Sequence, residues 1–371
     1  MKKFRLISFV FLLLFSAIAT FAQSPKNLND GLIAGDLPGA GISINKLQQL
    51  DSEILKNQFT KVTSILISRH GKLVYEKYYN GFSESSQHDT RSATKTITGM
   101  LTGIAIDKKF IPSEKAFVSK YFQDKKPFQN PDRRKDSITI EDLLTMSSSL
   151  ECDDDNQYSS GNEERMYLVE DYFKFLLNLP IRGFAPFTSK PKDQLYGRNW
   201  SYCTAGVVLL GGVLERSTKM KVDAFAKNYL FDPLEIKNPE WQITPMGMPM
   251  TGGGLHLKSR DYIKLAQLYI NKGQWNGKQI VSTAWISKSI APHANARDNV
   301  DYGYLWWLQK FGPADSNHFA YYMTGNGGYK IAVFPNLDLI VVITANWYGT
   351  AKAHAQSEKI ISEYIIPSIE K

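Results

Sequence analysis

The sequence predicts an α/β protein: an antiparallel sheet flanked by helices and built from both chain ends, with a mostly helical domain inserted between them. Three observations carry this. β-Branched and aromatic runs of strand length gather at residues 62–79 and again at 303–345. The stretch between them, 107–245, is loop-rich and carries apolar residues at helical spacing. No internal repeat or low-complexity segment appears, which excludes solenoids. The expected boundaries are 1–22 for a leader, 23–60 for an N-terminal arm and helix, 61–98 with 246–371 for the α/β domain, and 99–245 for the helical domain.

In chain order, Met1-Lys2-Lys3-Phe4-Arg5, an apolar run over 6–21 and a small residue at Ala22 before Gln23 read as a signal peptide, so the protein is expected to be exported, periplasmic or secreted. The apolar run is shorter than the roughly 20 residues that span a bilayer, so no stable membrane span is expected once the leader is cleaved. Residues 27–41, rich in Gly, Pro and Asn, read as an irregular arm, and Leu47, Leu50, Ile54 and Leu55 as one face of a helix. Two strand-like runs flanking Arg69-His70-Gly71-Lys72 form a hairpin signal.

Residues 96–106 read as a buried helix whose Gly99 and Gly103 permit close packing of whatever crosses it. The insertion offers helices at 140–146, 164–179, 205–217 and 222–230. The tail offers a helix at 260–271, an aromatic strand at 303–309, strands at 330–334 and 339–345 joined through Pro335-Asn336-Leu337-Asp338, and a closing helix at 353–365.

At 371 residues and 43% hydrophobic content the chain buries a large core, and a charged fraction of 22% is that of an ordinary globular protein. The net charge of +8 falls by three with Lys2, Lys3 and Arg5, and the longest basic cluster, Arg133-Arg134-Lys135, is flanked by Asp132 and Asp136. It reads as a solvated loop, so no nucleic-acid partner is expected. Two cysteines and six scattered histidines match no metal-binding spacing, so neither a metal nor a cofactor is expected.

Chemistry concentrates in three segments. Ser92-Ala93-Thr94-Lys95 places a hydroxyl and an amine three residues apart, on one helix face. The same spacing recurs at Ser43 and Lys46, Ser189 and Lys192, and Ser368 and Lys371. Only Ser92 opens a buried apolar helix, where free N–H groups and the helix dipole favour a developing anion and burial lowers the pKa of Lys95. Tyr202, at a loop-to-helix junction, can present its phenol to a cleft beside a cation that stabilises phenolate, or can simply pack. Met323-Thr324-Gly325-Asn326-Gly327-Gly328 ends a strand, and glycine there lets a substrate backbone approach, although a plain hairpin turn has the same composition.

Taken in order, the Ser-x-x-Lys tetrad, the Tyr202-Cys203-Thr204 triplet and the Thr324-Gly325 strand resemble the serine β-lactamase and penicillin-binding-protein superfamily. The nearest resemblance is to β-lactamase-related hydrolases of class C-like architecture, which include D-alanyl-D-alanine carboxypeptidases, esterases and aminohexanoate-oligomer hydrolases. It covers roughly residues 60–348, including Asp142-Leu143-Leu144-Thr145-Met146-Ser147-Ser148 and Gly252-Gly253-Gly254-Leu255. The resemblance implies that Ser92 is the nucleophile, Lys95 its base and Tyr202 the relay to the leaving group. It also implies an oxyanion hole from the N–H groups of Ser92 and Asn326, and substrate contacts at Thr204, Thr324 and Gly325.

Two departures from that pattern matter. Thr204 stands where relatives carry an asparagine that contacts the lysine and the substrate amide; its shorter hydroxyl can still accept from Lys95 but reaches less far. Met323 stands where relatives carry Lys or His, so the cation that pairs with a β-lactam or peptide carboxylate is absent unless another Lys or Arg substitutes. An ester or amide substrate, small or peptide-like, is therefore expected, with little or no β-lactamase activity. Cys152-Asp153-Asp154-Asp155 resembles a segment of aminohexanoate-oligomer hydrolases in which acidic residues would contact a substrate amine; a solvated, turn-forming loop is the favoured alternative. Cys152 and Cys203 each border the expected cleft, so a bridge between them would clamp the Tyr202 loop. Three functions stay open: an ester or amide hydrolase, a D,D-carboxypeptidase or β-lactamase, and a non-catalytic sensor. The last has no need of a base and relay around a hydroxyl. The oligomeric state is left open.

Overall fold

The computed structural model describes residues 24–182, 199–312 and 318–369. The leader (1–22) and the Ser189–Lys192 match lie outside them. Among the described residues no helix is long and apolar enough to cross a membrane.

Both chain ends build one sheet of nine strands: β1 (Ile33–Ala34), β2 (Val62–Arg69), β3 (Lys72–Tyr78), β4 (Ala294–Arg297), β5 (Val300–Tyr302), β6 (Trp307–Phe311), β7 (His318–Gly325), β8 (Tyr329–Phe334) and β9 (Leu339–Ala345). Their spatial order is β1-β3-β2-β9-β8-β7-β6-β5-β4, so the N-terminal hairpin joins the C-terminal meander where β2 pairs antiparallel with β9. The sheet departs from the expected antiparallel pattern at one edge, where β1 runs parallel to β3. This converts part of the expected irregular arm into an edge strand.

The central strands are buried on both faces and alternate between two cores. Leu66, Ile331, Val333, Ile340 and Val342 face one core, shared with α2 (Ala93–Asp107), α3 (Thr204–Thr218) and α4 (Ser259–Ile270). Ile65, Ile67, Ala332, Phe334, Val341 and Ile343 face the other, shared with α1 (Ile44–Leu55) and the C-terminal segment Ile360–Ile365. Each such Ile, Leu or Phe contributes about 1.5–3 kcal/mol of burial, and together they hold the sheet as a rigid floor.

Local details follow from residue chemistry. The β2–β3 turn uses His70 (φ 52°) and Gly71 (φ 70°), the left-handed pair that a tight hairpin requires. In α2, every residue from Ala93 to Ala105 is buried. A Cβ at Gly103 would fall 2.3 Å from Trp285 Nε1, so this glycine admits the crossing indole.

Other expectations shift. The aromatic strand expected at 303–309 begins only at Trp307, because Leu305 turns at φ 61° and its carbonyl accepts from Thr96 Oγ1 at 2.6 Å, drawing Tyr304 and Trp306 into the core. The hairpin β4–β5 was not legible in the sequence. The helix expected at 164–179 splits into Glu163–Met166 and Tyr172–Asn178. The basic cluster is a helical turn rather than a solvated loop: Lys135 is buried, its Nζ donating to the carbonyls of Gln129 and Leu177.

Candidate active site

Three segments converge on a cleft of about 550 Å³ between the helical region and the β7 side of the sheet; its lining includes Ser92, Tyr202, Thr324, Gly325 and Asn326. Ser92 is the residue before α2. Its turn is held by Thr90, whose hydroxyl hydrogen-bonds with the Tyr262 phenol, and by Arg91 in the left-handed region (φ 50°). A non-glycine residue there costs roughly 1–2 kcal/mol. Asp89 holds Arg91 in place, accepting from its N–H at 3.2 Å and pairing with its guanidinium at 3.1 Å.

Strand β7 closes against this turn. A Cβ on Gly325 would lie 1.9 Å from Thr90 O and 3.2 Å from Ser92 N, so only glycine allows the strand end to reach the hydroxyl. Among the described residues no acceptor takes the backbone N–H of Ser92 or of Asn326. The Asn326 side chain is turned outward, its Oδ1 accepting from Gly349 N at 2.9 Å. Both N–H groups are thus available beside the cleft, the arrangement an oxyanion hole requires.

Lys95, one turn into α2, is 1% exposed. Its Nζ is 2.9 Å from Ser92 Oγ and 2.5 Å from Gly252 O, and lies 5.0 Å from the centroid of the Tyr202 ring. Burial lowers its pKa; the carboxylates of Glu163 and Asp154 oppose this from longer range. The Tyr202 phenol contacts the Ser92 hydroxyl, and burial raises its pKa, as do Asp154, Glu163 and Asp155. Tyr202 is therefore a neutral phenol at rest, because burial disfavours its charge and the acidic groups around it add to that effect.

The Tyr202 loop is set from beneath. Cys152 and Cys203 form a disulfide across 5.4 Å between Cα atoms, joining the acidic loop to the first turn of α3. Cys203 also caps that helix, its Sγ accepting from Gly206 N. Asp154 accepts from Thr204 N at 2.6 Å and Glu163 N at 2.9 Å, while its own N–H donates to Tyr202 O at 2.9 Å. Burial pushes its carboxyl up to about 6. Asp154 is thus a positioning group for Tyr202, and Asp155 and Glu163 share the same cleft wall.

One contact that the sequence left open is not made. Thr204 does not accept from Lys95: among the described residues its buried hydroxyl has no hydrogen-bond partner, and the second contact of the lysine is Gly252 O. The side chain is too short, and its methyl packs where a Cβ on Gly252 would be 2.6 Å away, so the carbonyl takes the place of the missing amide. Thr324 lines the cleft, its hydroxyl donating to Tyr329 O at 2.8 Å and lying 3.3 Å from His354 Nδ1. Met323, one residue earlier on the strand, points into the core and is fully buried.

Residues that sequence reasoning missed also line the cleft: Arg297, Trp307, Tyr322, Lys330, His354 and Glu358. They come from five chain segments, four strands and the C-terminal helix α5 (Lys352–Lys359), that only the folded chain brings together. The one available signal was the period-2 position of Tyr322 and Thr324 along β7.

Comparison with known proteins places this geometry. A 6-aminohexanoate-dimer hydrolase of Paenarthrobacter ureafaciens is 21% identical over 310 residues, covering 78% of this chain and 73% of that protein. The structure of a Bacillus anthracis protein assigned as a 6-aminohexanoate-dimer hydrolase superposes with a TM-score of 0.69 at 17% identity, covering 93% of this chain and 90% of the other. A class C β-lactamase of Rhodobacter sphaeroides gives a TM-score of 0.61 at 14% identity, over 87% of this chain and all of the other (100%). These likenesses establish the shared fold. A sequence model of the β-lactamase family matches residues 47–364, from the first helix to the closing one and across the whole insertion. The chain belongs to the β-lactamase family.

Proposed function

We propose that the protein is a serine hydrolase that cleaves an ester or amide bond through an acyl-enzyme on Ser92. The observation that carries this reading is the contact of one hydroxyl with two proton carriers: Lys95 Nζ at 2.9 Å on one side and the Tyr202 phenol on the other. A buried amine whose charge is disfavoured accepts the Ser92 proton as the oxygen attacks, and keeps an N–H on Gly252 O throughout. Developing negative charge on the carbonyl oxygen is met by the N–H groups of Ser92 and Asn326. Tyr202, a neutral phenol, donates its proton to the departing group and regains one from the Lys95 ammonium, which lies beside its ring and carries the proton taken from Ser92. Water then repeats the sequence on the acyl-enzyme.

The amide or ester preference is supported by the burial of Met323, which leaves no cation on β7 at the place where a β-lactam carboxylate would be held. It is supported too by the hydrolase named among the relatives, which acts on an aminohexanoate dimer. The disulfide fits an oxidising compartment and hence an exported protein.

The test compares wild type and Ser92→Ala on p-nitrophenyl acetate, aminohexanoate dimer, nitrocefin and a D-Ala-D-Ala peptide. The wild type is expected to turn over the first two, with an acyl adduct on the peptide that contains Ser92, and the variant to lose roughly a thousandfold or more in kcat/KM. Turnover that survives in Ser92→Ala removes Ser92 from the reaction.

A further inference from the structure

Charge is distributed unevenly around the cleft. Asp154, Asp155 and Glu163 line one wall, and Arg297 and Lys330 line the other. Lys330 is engaged internally: its buried Nζ lies 2.7 Å from Glu358 Oε1 and 4.7 Å from the Tyr322 ring centroid. His354 is neutral, pushed down to about 4 by burial and by the charge of Lys330. Arg91 is paired with Asp89, and Lys95 is turned to Ser92.

Arg297 differs from all of these. It forms no ion pair among the described residues and stands exposed on the lip of the cleft. It is the last residue of β4, fixed by its pairing with Val300 across a turn in which Asn299 adopts φ 61°. Its guanidinium lies over the Trp307 ring, 5.5 Å from the centroid, and contacts the Tyr322 phenol. Asp155 feels its charge from across the cleft without reaching ion-pair distance. A planar cation stacked on an indole loses little freedom on binding and keeps N–H edges in the fork geometry that matches a carboxylate.

We propose that Arg297 is the carboxylate anchor of this site, so that its preferred substrates are amides or esters bearing a carboxylate. It supplies from β4 the cation that β7 lacks at Met323, and the acidic wall opposite repels a carboxylate toward it. The proposal rests on the acyl-hydrolase reading and deepens it.

The test uses two matched substrate pairs. Mono-p-nitrophenyl glutarate against p-nitrophenyl butyrate places the carboxylate on the acyl side; 3-acetoxybenzoate against phenyl acetate places it on the leaving group. The readout is the ratio of kcat/KM, anionic over neutral, which cancels any general loss of active protein. Wild type is expected to favour the anionic member of at least one pair, Arg297→Ala to lower that ratio about tenfold, and Arg297→Lys to lower it less. A ratio unchanged by Arg297→Ala in both pairs, or a wild type that favours the neutral member in both, overturns the anchor. Ser92→Ala separates the two failures: if it silences all four esters while the ratios ignore Arg297, only the anchor is lost.

Discussion

Lys95 and Lys330 are each 1% exposed, on the helix side and the sheet side of the same cleft, and the difference between them shows how burial becomes chemistry on one side and architecture on the other. Burial disfavours the charge of both. Lys330 has a carboxylate at 2.7 Å to compensate, and its ammonium also faces two aromatic rings. Lys95 has a hydroxyl, a carbonyl and the Tyr202 ring beside it, with its carboxylates at a distance. The same residue type is therefore held as an ion on one wall and released toward a neutral amine on the other.

The largest effect that can break this comparison is the loss of chemistry without loss of fold. Lys95→Met keeps the length of the stem and removes a poorly compensated charge, at the cost of one unpaired carbonyl at Gly252, so stability is expected to change by no more than about 1 kcal/mol. Turnover of p-nitrophenyl acetate is expected to fall about a thousandfold. Thermal melts and steady-state rates on one preparation check both; a large drop in melting temperature would show that Lys95 is structural, like Lys330.

The helix-side wall depends on a staple that the sheet-side wall lacks. The Cys152–Cys203 bridge spans a sequence separation of 51, and a loop of that size stabilises by about 4 kcal/mol in the chain-entropy view. Reduction, or Cys152→Ser with Cys203→Ser, is expected to lower the unfolding free energy from denaturant titration by that order. It should also lower kcat more than it raises KM, since Tyr202 is the neighbour of Cys203 and sits over the acidic loop. A variant with an unchanged kcat would mean that Asp154 positions the tyrosine unaided.

On the opposite wall the expected loss is of stability first. Lys330→Met strands Glu358, but that carboxylate is 35% exposed and regains water, so about 1–2 kcal/mol is expected rather than the larger cost of a fully buried orphan. Its effect on kcat with p-nitrophenyl acetate is expected to stay well below that of Lys95→Met. Equal losses in kcat for the two would dissolve the distinction between the walls.

How far these walls could be read in the sequence follows from how local their signals are. The Ser92–Lys95 helix, the β2–β3 hairpin, β8, β9 and the joining of both chain ends rest on short-range periodicity, and the fold contains them. β4 and β5, of four and three residues, are too short to show alternation, and with them Arg297 was invisible. The motif left open a contact between Thr204 and Lys95. The structure shows why that fails: the approach of Gly252 is a tertiary contact across a separation of 157 residues, which no local pattern encodes. Lys330 looked like an ordinary strand residue until α5 brought Glu358 over it.

The smallest expected effect sharpens the comparison by tuning Lys95 without touching it. Glu163 is the foremost of the carboxylates that raise the pKa of the lysine against burial. In the proposed mechanism the rate of acylation follows the neutral amine, so kcat/KM is expected to rise with pH through the pKa of Lys95. Removing a negative charge nearby destabilises the ammonium, lowers that pKa and moves the rising limb toward acid. Glu163→Gln is therefore expected to shift the limb down by roughly one pH unit. The hydrogen bond that Glu163 accepts from the Tyr167 phenol can be kept by the Gln carbonyl, so the plateau rate should move little by comparison. A limb displaced upward, or fixed in place, would mean that Lys95 is not the group titrating, and that its contrast with Lys330 lies elsewhere than in charge.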